Sequence, residues 1–160
     1  MLKEFLSGLL SGVVAAMPAC DSISLPKLKP GISKRQDVED IMGTPTMEWK
    51  DADGSVTWEY PRTPNGVVNY MIVFGPNGVL REVRQVLTEE NFAKVSPGMS
   101  REDIRRLLGQ PAKESYFSLK KEYVWDWRKD DPMNMTVYFN VHFDESGRVV
   151  RTSTNVDPRH

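Results

Sequence analysis

Apolar residues recur along this chain in two blocks with the same internal order. Val38, Ile41 and Met42 fall at helical spacing, as do Ile104, Leu107 and Leu108, and each group precedes runs in which apolar and polar residues alternate. Spacing near 3.6 predicts a short amphipathic helix, and a period of two predicts half-buried strands. After the first helix the predicted strands are 56–60, 67–74 and 79–86; after the second they are 122–128, 136–143 and 148–153, with a further short strand within 112–119. Within 136–143, Val137, Phe139, Val141 and Phe143 share one face, and Tyr138, Asn140 and His142 the other.

The blocks share more than a pattern. Residues 30–45, from Pro30-Gly31-Ile32-Ser33 to Met42-Gly43-Thr44-Pro45, return at 97–111 as Pro97-Gly98-Met99-Ser100 through Leu108-Gly109-Gln110-Pro111. The offset is about 67 residues, the mark of an internal repeat. The second copy is one residue shorter, and the gap aligns most easily between Glu102 and Asp103. Ser100 suits an N-cap with Asp103 returning the bond, and Met99 and Ile104 suit a hydrophobic staple. In the first copy Ser33 and Gln36 take the corresponding parts. Gly43 and Gly109 then end the helices, and Pro45 and Pro111 prevent continuation. A third short helix is expected after Thr88, an N-cap followed by Glu89 and Glu90, with Leu87 and Phe92 as its staple.

Turn chemistry separates the strands. Asp51-Ala52-Asp53-Gly54-Ser55, Asn65-Gly66, Gly75-Pro76-Asn77-Gly78 and Asp144-Glu145-Ser146-Gly147 all carry turn residues. The fold class is therefore α+β: a tandem repeat of a short helix and a three-stranded antiparallel sheet, with the two sheets placed to form one continuous concave surface. The units span 28–87 and 88–153, and 154–160 is a polar tail expected to fray. Units of roughly 65 residues are marginal alone, and no Gly/Ser linker separates them, so they should pack as one body.

Composition narrows the chemistry. A net charge of −1 supplies no phosphate-neutralising stripe and argues against nucleic-acid binding. One cysteine and two histidines exclude an intrachain disulfide and a Cys- or His-rich metal site. Asp51-x-Asp53-Gly54 resembles the start of a calcium loop, but Arg62 stands where the bidentate Glu is needed, so this is a surface turn. Gly75-Pro76-Asn77-Gly78 lacks the spacing and the lysine of a phosphate loop, and no cofactor is implied. His142 is the only histidine within a predicted element, and no serine lies in a nucleophile-elbow turn to use it. The chain is not expected to be an enzyme. Trp58 and Tyr60 share one side of their strand, and Trp125 and Trp127 one side of theirs. These pairs are either the cores of two small sheets or, with Tyr138 and His142, an aromatic binding face.

The N-terminus bears on location. Residues 5–17 are uncharged and rich in Leu, Val, Ala and Gly, too short to span a bilayer but suited to the apolar core of a signal peptide. The run ends Met17-Pro18-Ala19-Cys20, which resembles the lipobox of a bacterial lipoprotein. On that reading 1–19 is a signal, Cys20 is lipidated and anchors the protein to membrane lipid, and 20–27 is a tether. The alternative is a buried helix with an incidental cysteine. Asp21, directly after Cys20, leaves the choice between inner and outer membrane open.

The Gly-Ile/Met-Ser opening, the helix ending Met/Leu-Gly-x-Pro, the Trp-x-Tyr/Trp strand and the Phe-x-x-x-Gly hairpin resemble the SmpA/OmlA (BamE-like) family of small bacterial lipoproteins. The resemblance covers 28–87 and 94–153. The plan is also similar to that of secreted beta-lactamase inhibitor proteins, which are built of two such units. The family resemblance implies a non-enzymatic role on the periplasmic face of the outer membrane, with envelope proteins such as the beta-barrel assembly machine as partners. Carried over by motif, the contacts fall on Gly31, Ile32 and Ser33, or Gly98, Met99 and Ser100. The resemblance to the inhibitors implies the alternative, a periplasmic inhibitor or ligand-binding module using a concave aromatic face.

Overall fold

A computed structural model describes residues 21–157; the signal stretch and Cys20 lie outside the described residues, as do 158–160. The segment expected to be a tether is folded. Helix α1 (Asp21–Ser24) leads into a 3-10 turn (Leu25–Lys27), and Leu25 and Leu28 pack onto the first core. Asp21 is held there by a two-pronged ion pair, its carboxylate accepting from Nε of Arg62 at 2.9 Å and from Nη2 at 2.7 Å. An isolated pair of leucines among Pro and Lys carries too little period to announce this docking.

The first unit continues with α2 (Arg35–Met42), β1 (Met47–Lys50), β2 (Val56–Pro61), β3 (Asn69–Phe74) and β4 (Leu80–Gln85). Helix α3 (Glu89–Lys94) crosses to the second unit, which holds α4 (Arg101–Leu108), β5 (Lys113–Phe117), β6 (Glu122–Lys129), β7 (Val137–Phe143) and β8 (Val149–Val156). Each unit is thus a helix and a four-stranded antiparallel meander, with sheet orders β1-β2-β3-β4 and β5-β6-β7-β8. Two expectations are corrected. The sheets have four strands, since β1 was not foreseen, and they are separate, so no continuous concave sheet forms. β1 is four mostly exposed residues whose pairing partner, Glu59 against Met47, lies across a turn, so local alternation could not reveal it. Strand β8 also runs through to Val156, into the segment expected to fray.

The repeat is real in three dimensions, but its extra residue lies elsewhere than the sequence alignment suggested. Helices α2 and α4 are both eight residues long, with Lys34 and Ser100 as their N-cap residues. Gly31 donates to the carbonyl of Leu80 and Gly98 to that of Val149, both at 2.8 Å, while Leu80 donates back to Ser33 and Val149 to Met99. The structural partner of Met99 is therefore Ser33, and Ile32 is the inserted residue, 70% exposed. Ser33 does not cap α2. Its hydroxyl accepts from the Lys29 amide at 2.9 Å, and the Asp37 carboxylate accepts from the Lys34 amide at 2.7 Å. In the second copy the expected box is present: Ser100 Oγ accepts from the Asp103 amide at 3.1 Å, and Asp103 accepts from the Ser100 amide at 2.8 Å. Thr88 likewise caps α3 by accepting from the Asn91 amide.

Each helix covers one face of its own sheet. Val38 of α2 packs with Val56, Trp58, Tyr60, Ile72, Phe74 and Leu80 in the first core. Ile104 and Leu108 of α4 and Phe92 of α3 pack with Trp127, Phe139, Val141 and Phe143 in the second. The pairs Thr46 to Glu59 and Ala112 to Asp126, each an amide donating to a strand carbonyl, fix the equivalence of the two sheets residue by residue. The other face of the first sheet is covered at its middle, while Glu82 and Arg84 at its β4 edge stay exposed. It carries Glu59, Asn69 and Met71, all essentially inaccessible, and the C-terminal half of α4 lies against it. The layers run α2, first sheet, α4, second sheet.

Candidate interaction surfaces

The contact between the units is polar, and the groups at its centre are hydrogen-bonded. Glu59 is excluded from solvent, and its two oxygens share the Nε–H of Arg105 at 3.1 Å each. Glu59 Oε1 also accepts from the Gln110 amide at 2.6 Å. Beside it, Asn69 Nδ2 donates to the carbonyls of Leu108 at 2.8 Å and Gln110 at 3.0 Å. The last carbonyls of a helix lack intrahelical partners, so Asn69 supplies what the end of α4 needs. At the rim Arg106 reaches Asp51 at 3.0 Å and lies over the Trp49 ring, 4.5 Å from its centroid. Arg128 Nη1 donates to the Asn65 carbonyl at 2.7 Å. Buried charges leave water only when paired and hydrogen-bonded, so this interface specifies one mutual orientation of the units.

The aromatic pairs are core residues. Trp58, Tyr60 and Trp127 are buried and Trp125 is half-buried against the second core, where it meets Phe143 edge-on at 4.9 Å. Their polar tips are satisfied inside: Trp58 Nε1 donates to Glu48 at 2.7 Å, Tyr60 to the Gly43 carbonyl at 2.8 Å, and Trp127 Nε1 to the Gly109 carbonyl at 3.1 Å. The expected aromatic binding face is therefore absent, because these residues point to the helices of two different cores. Tyr138 and His142 lie on the opposite face of the second sheet, apart from them.

Of the six motif residues, Gly31, Ser33, Gly98 and Met99 tie the loop before each helix to the last strand of its sheet. Ser100 is spent on capping, and Met99 packs on the second core. Ile32 alone among them presents substantial apolar surface to solvent.

The outer face of the second sheet holds a polar chain of which the sequence singled out only His142. Arg151 Nη2 donates to Glu122 Oε2 at 2.9 Å, Glu122 Oε2 lies 3.1 Å from Nδ1 of His142, and Nε2 of His142 lies 2.8 Å from Ser153 Oγ. Ser153 Oγ is 3.2 Å from Asn140 Oδ1, and Asn140 Nδ2 donates to Asp126 Oδ1 at 2.6 Å. Burial, only partly offset by Glu122, holds the His142 imidazole below its ordinary pKa. Burial pushes Glu122 up, but the hydrogen bonds from His142 and Arg151 outweigh it and leave the carboxyl below its usual range. Burial raises Asp126 above its ordinary value against the hydrogen bond from Asn140. The order acid, histidine, serine has the connectivity of a hydrolase triad, but Ser153 sits within the β7–β8 ladder opposite Asn140, where backbone amides serve the sheet and cannot converge on an oxyanion. The signal that could have found the chain is the register: Glu122, His142 and Ser153 occupy adjacent strands on one face.

Among the described residues, no group of three or more His, Cys, Asp or Glu side chains could hold a metal ion, and no helix is long and apolar enough to cross a membrane.

Comparison with known proteins adds a partial identity. No curated protein matches the chain significantly. Distant structural similarity extends to a candidate beta-lactamase inhibitor protein from Streptococcus mutans, 14% identical, covering 84% of this chain and 94% of that one with a TM-score of 0.35. A DUF4309 family protein from Bacillus subtilis is 12% identical over 81% of this chain and 82% of its own, with a TM-score of 0.31. An extracellular protein containing an SCP domain from Bacillus anthracis is 11% identical over 84% of this chain and 46% of its own, with a TM-score of 0.32. The model of the outer membrane protein assembly factor BamE domain matches residues 85–153, which take in α3, α4 and most of the second sheet. A BamE-like domain thus occupies part of the chain.

Proposed function

We propose that this protein is a membrane-anchored envelope lipoprotein that acts by protein–protein contact, in outer-membrane protein assembly or in envelope integrity. The observation that carries this reading is the match of residues 85–153 to the domain of an outer-membrane assembly factor. The signal-like stretch and lipobox ending at Cys20 support the anchor. A two-unit body in which Trp58, Tyr60, Trp125 and Trp127 are consumed by two cores supports a role in presenting surfaces rather than enclosing a ligand. Membrane lipid would be engaged through acylated Cys20, and envelope proteins, including the barrel assembly machine, through the exposed motif loop at Ile32 and the sheet faces. The location proposed is the periplasmic face of the outer membrane, with the inner membrane as the alternative because of Asp21. Solubilisation of native membranes and purification through a C-terminal tag tests this reading. It predicts envelope proteins co-purifying in fixed proportion, and their absence under cross-linking would refute it.

A further inference from the structure

We infer that the outer face of the second sheet, centred on Asp126, is a docking seat for an arginine-bearing helix end of a different protein, built to the plan by which the first sheet seats α4. The inference deepens the interaction reading above and gives it a surface and a partner chemistry.

The repeat supplies the argument. Glu59 of the first sheet and Asp126 of the second are equivalent, since each gives its carbonyl to the residue after the motif proline, Thr46 or Ala112. Glu59 pairs in register with Met71, and Asp126 with Asn140. In the first sheet the carboxylate receives Arg105 and the Gln110 amide, while Asn69 donates to the last carbonyls of α4. In the second sheet, among the described residues, no helix occupies the corresponding place. Asp126, Tyr138 and Lys113 instead line an open cleft of about 550 Å³, together with Pro64, Ala112 and Asn155.

The seat has matching chemistry. Asp126 offers the carboxylate for a guanidinium, and Tyr138, at the position of Asn69, offers a hydroxyl that can donate to helix-end carbonyls. Lys113, opposite Asp126 in the β5–β6 register, and Asp157 also line the cleft, one charge of each sign, so the described lining carries no surplus of cations. The polar chain through Asn140, Ser153 and His142 holds the floor rigid, with Asn140 7% and His142 8% exposed. Val124, also on this face, is 5% exposed. A second copy of this chain is a poor occupant. Its α4 is already seated, and its α2 carries Glu39 where α4 carries Arg105, as the bonds from Gly43 to Glu39 and Gly109 to Arg105 show. Head-to-tail stacking would set carboxylate against carboxylate.

The test uses the full chain and a peptide of residues 97–112, stapled between positions 103 and 107 to hold the helix with Arg105 on the free side. Titration followed by NMR is expected to shift the amides of Lys113, Asp126, Tyr138 and Asn140 saturably. Asp126→Asn, which keeps the shape of the side chain, is expected to weaken binding by about tenfold or more. A peptide carrying Arg105→Glu is expected not to bind. Absence of shifts at millimolar peptide, or equal binding of the arginine and glutamate peptides, would overturn the seat. Because Cys20→Ser leaves this assay untouched, a negative result here counts against the seat alone, whereas failed co-purification counts against the envelope role.

Discussion

The Nε–H of Arg105 is shared between both oxygens of Glu59, 46 residues earlier, with the carboxylate wholly buried and the arginine side chain 19% exposed. This pair joins the end of one repeat's helix to the middle of the other's sheet. Removing one member of a buried pair strands the other, at a cost of about 3 kcal/mol where, as here, the survivor has some path to water. Glu59→Ala should lose about that much in urea denaturation, and Glu59→Ala with Arg105→Met should recover most of it. Additive losses in the double variant would show that the two residues are not coupled.

Gly43 and Gly109 provide an internal control. They hold the same backbone conformation, φ 80° with ψ −170° and φ 75° with ψ −165°, a region open to glycine and costly for other residues. A Cβ at Gly43 would meet nothing within 4 Å, whereas one at Gly109 would lie 2.9 Å from Nδ2 of Asn69. Gly43→Ala should therefore cost only the backbone strain, about 2 kcal/mol. Gly109→Ala should cost clearly more, and Asn69→Ala in the same chain should remove part of the excess. Equal melting shifts for the two single variants would contradict the close approach of the units.

Much of this frame was legible in the sequence. Helices α3 and α4, their caps at Thr88 and Ser100, three strands of each sheet and the correspondence of Phe74 with Phe143 follow from spacing and turn residues. The register of the repeat was not, because matching Ser33 to Ser100 scores better by letter than by structure, where backbone bonds pair Ser33 with Met99. Glu59 was not legible either. An acid on the polar side of a strand looks solvated until another unit covers it, and Asp126 looks the same while only half-buried.

Acid should weaken the fold through the second sheet. His142 has a folded pKa below its unfolded value, chiefly from burial, so the stability it contributes is present above about pH 6.5 and is lost as the pH falls through the folded value. Glu122 is lowered in net, its hydrogen bonds outweighing burial, so its contribution is present above about pH 4.5 and is lost below that. Both effects have the same sign. Urea midpoints are expected to be lower at about pH 5.5 than at about pH 7.5, with His142→Gln showing a flatter dependence. Asp126 acts oppositely: raised by burial, it contributes stability at low pH that is lost as the pH rises through its folded value. Asp126→Asn should therefore stabilise the protein at neutral pH, as expected where a charge is kept for binding. A midpoint unchanged with pH would contradict these assignments.

The Glu122–His142–Ser153 chain should be structurally ordered and chemically silent. A fluorophosphonate probe, which reports an activated serine beside an oxyanion site, is expected to leave Ser153 unlabelled by mass spectrometry. Labelling of Ser153 that is lost in His142→Gln would make the chain a hydrolase and contradict a purely interacting role.

The most direct test of the account is attachment to the membrane at Cys20. Cells expressing the wild-type chain or Cys20→Ser are grown with radiolabelled palmitate, and the protein is recovered from separated membrane fractions. Lipidation at Cys20 predicts label and membrane recovery for the wild type and loss of both in Cys20→Ser; a wild-type protein that carries no label would contradict it.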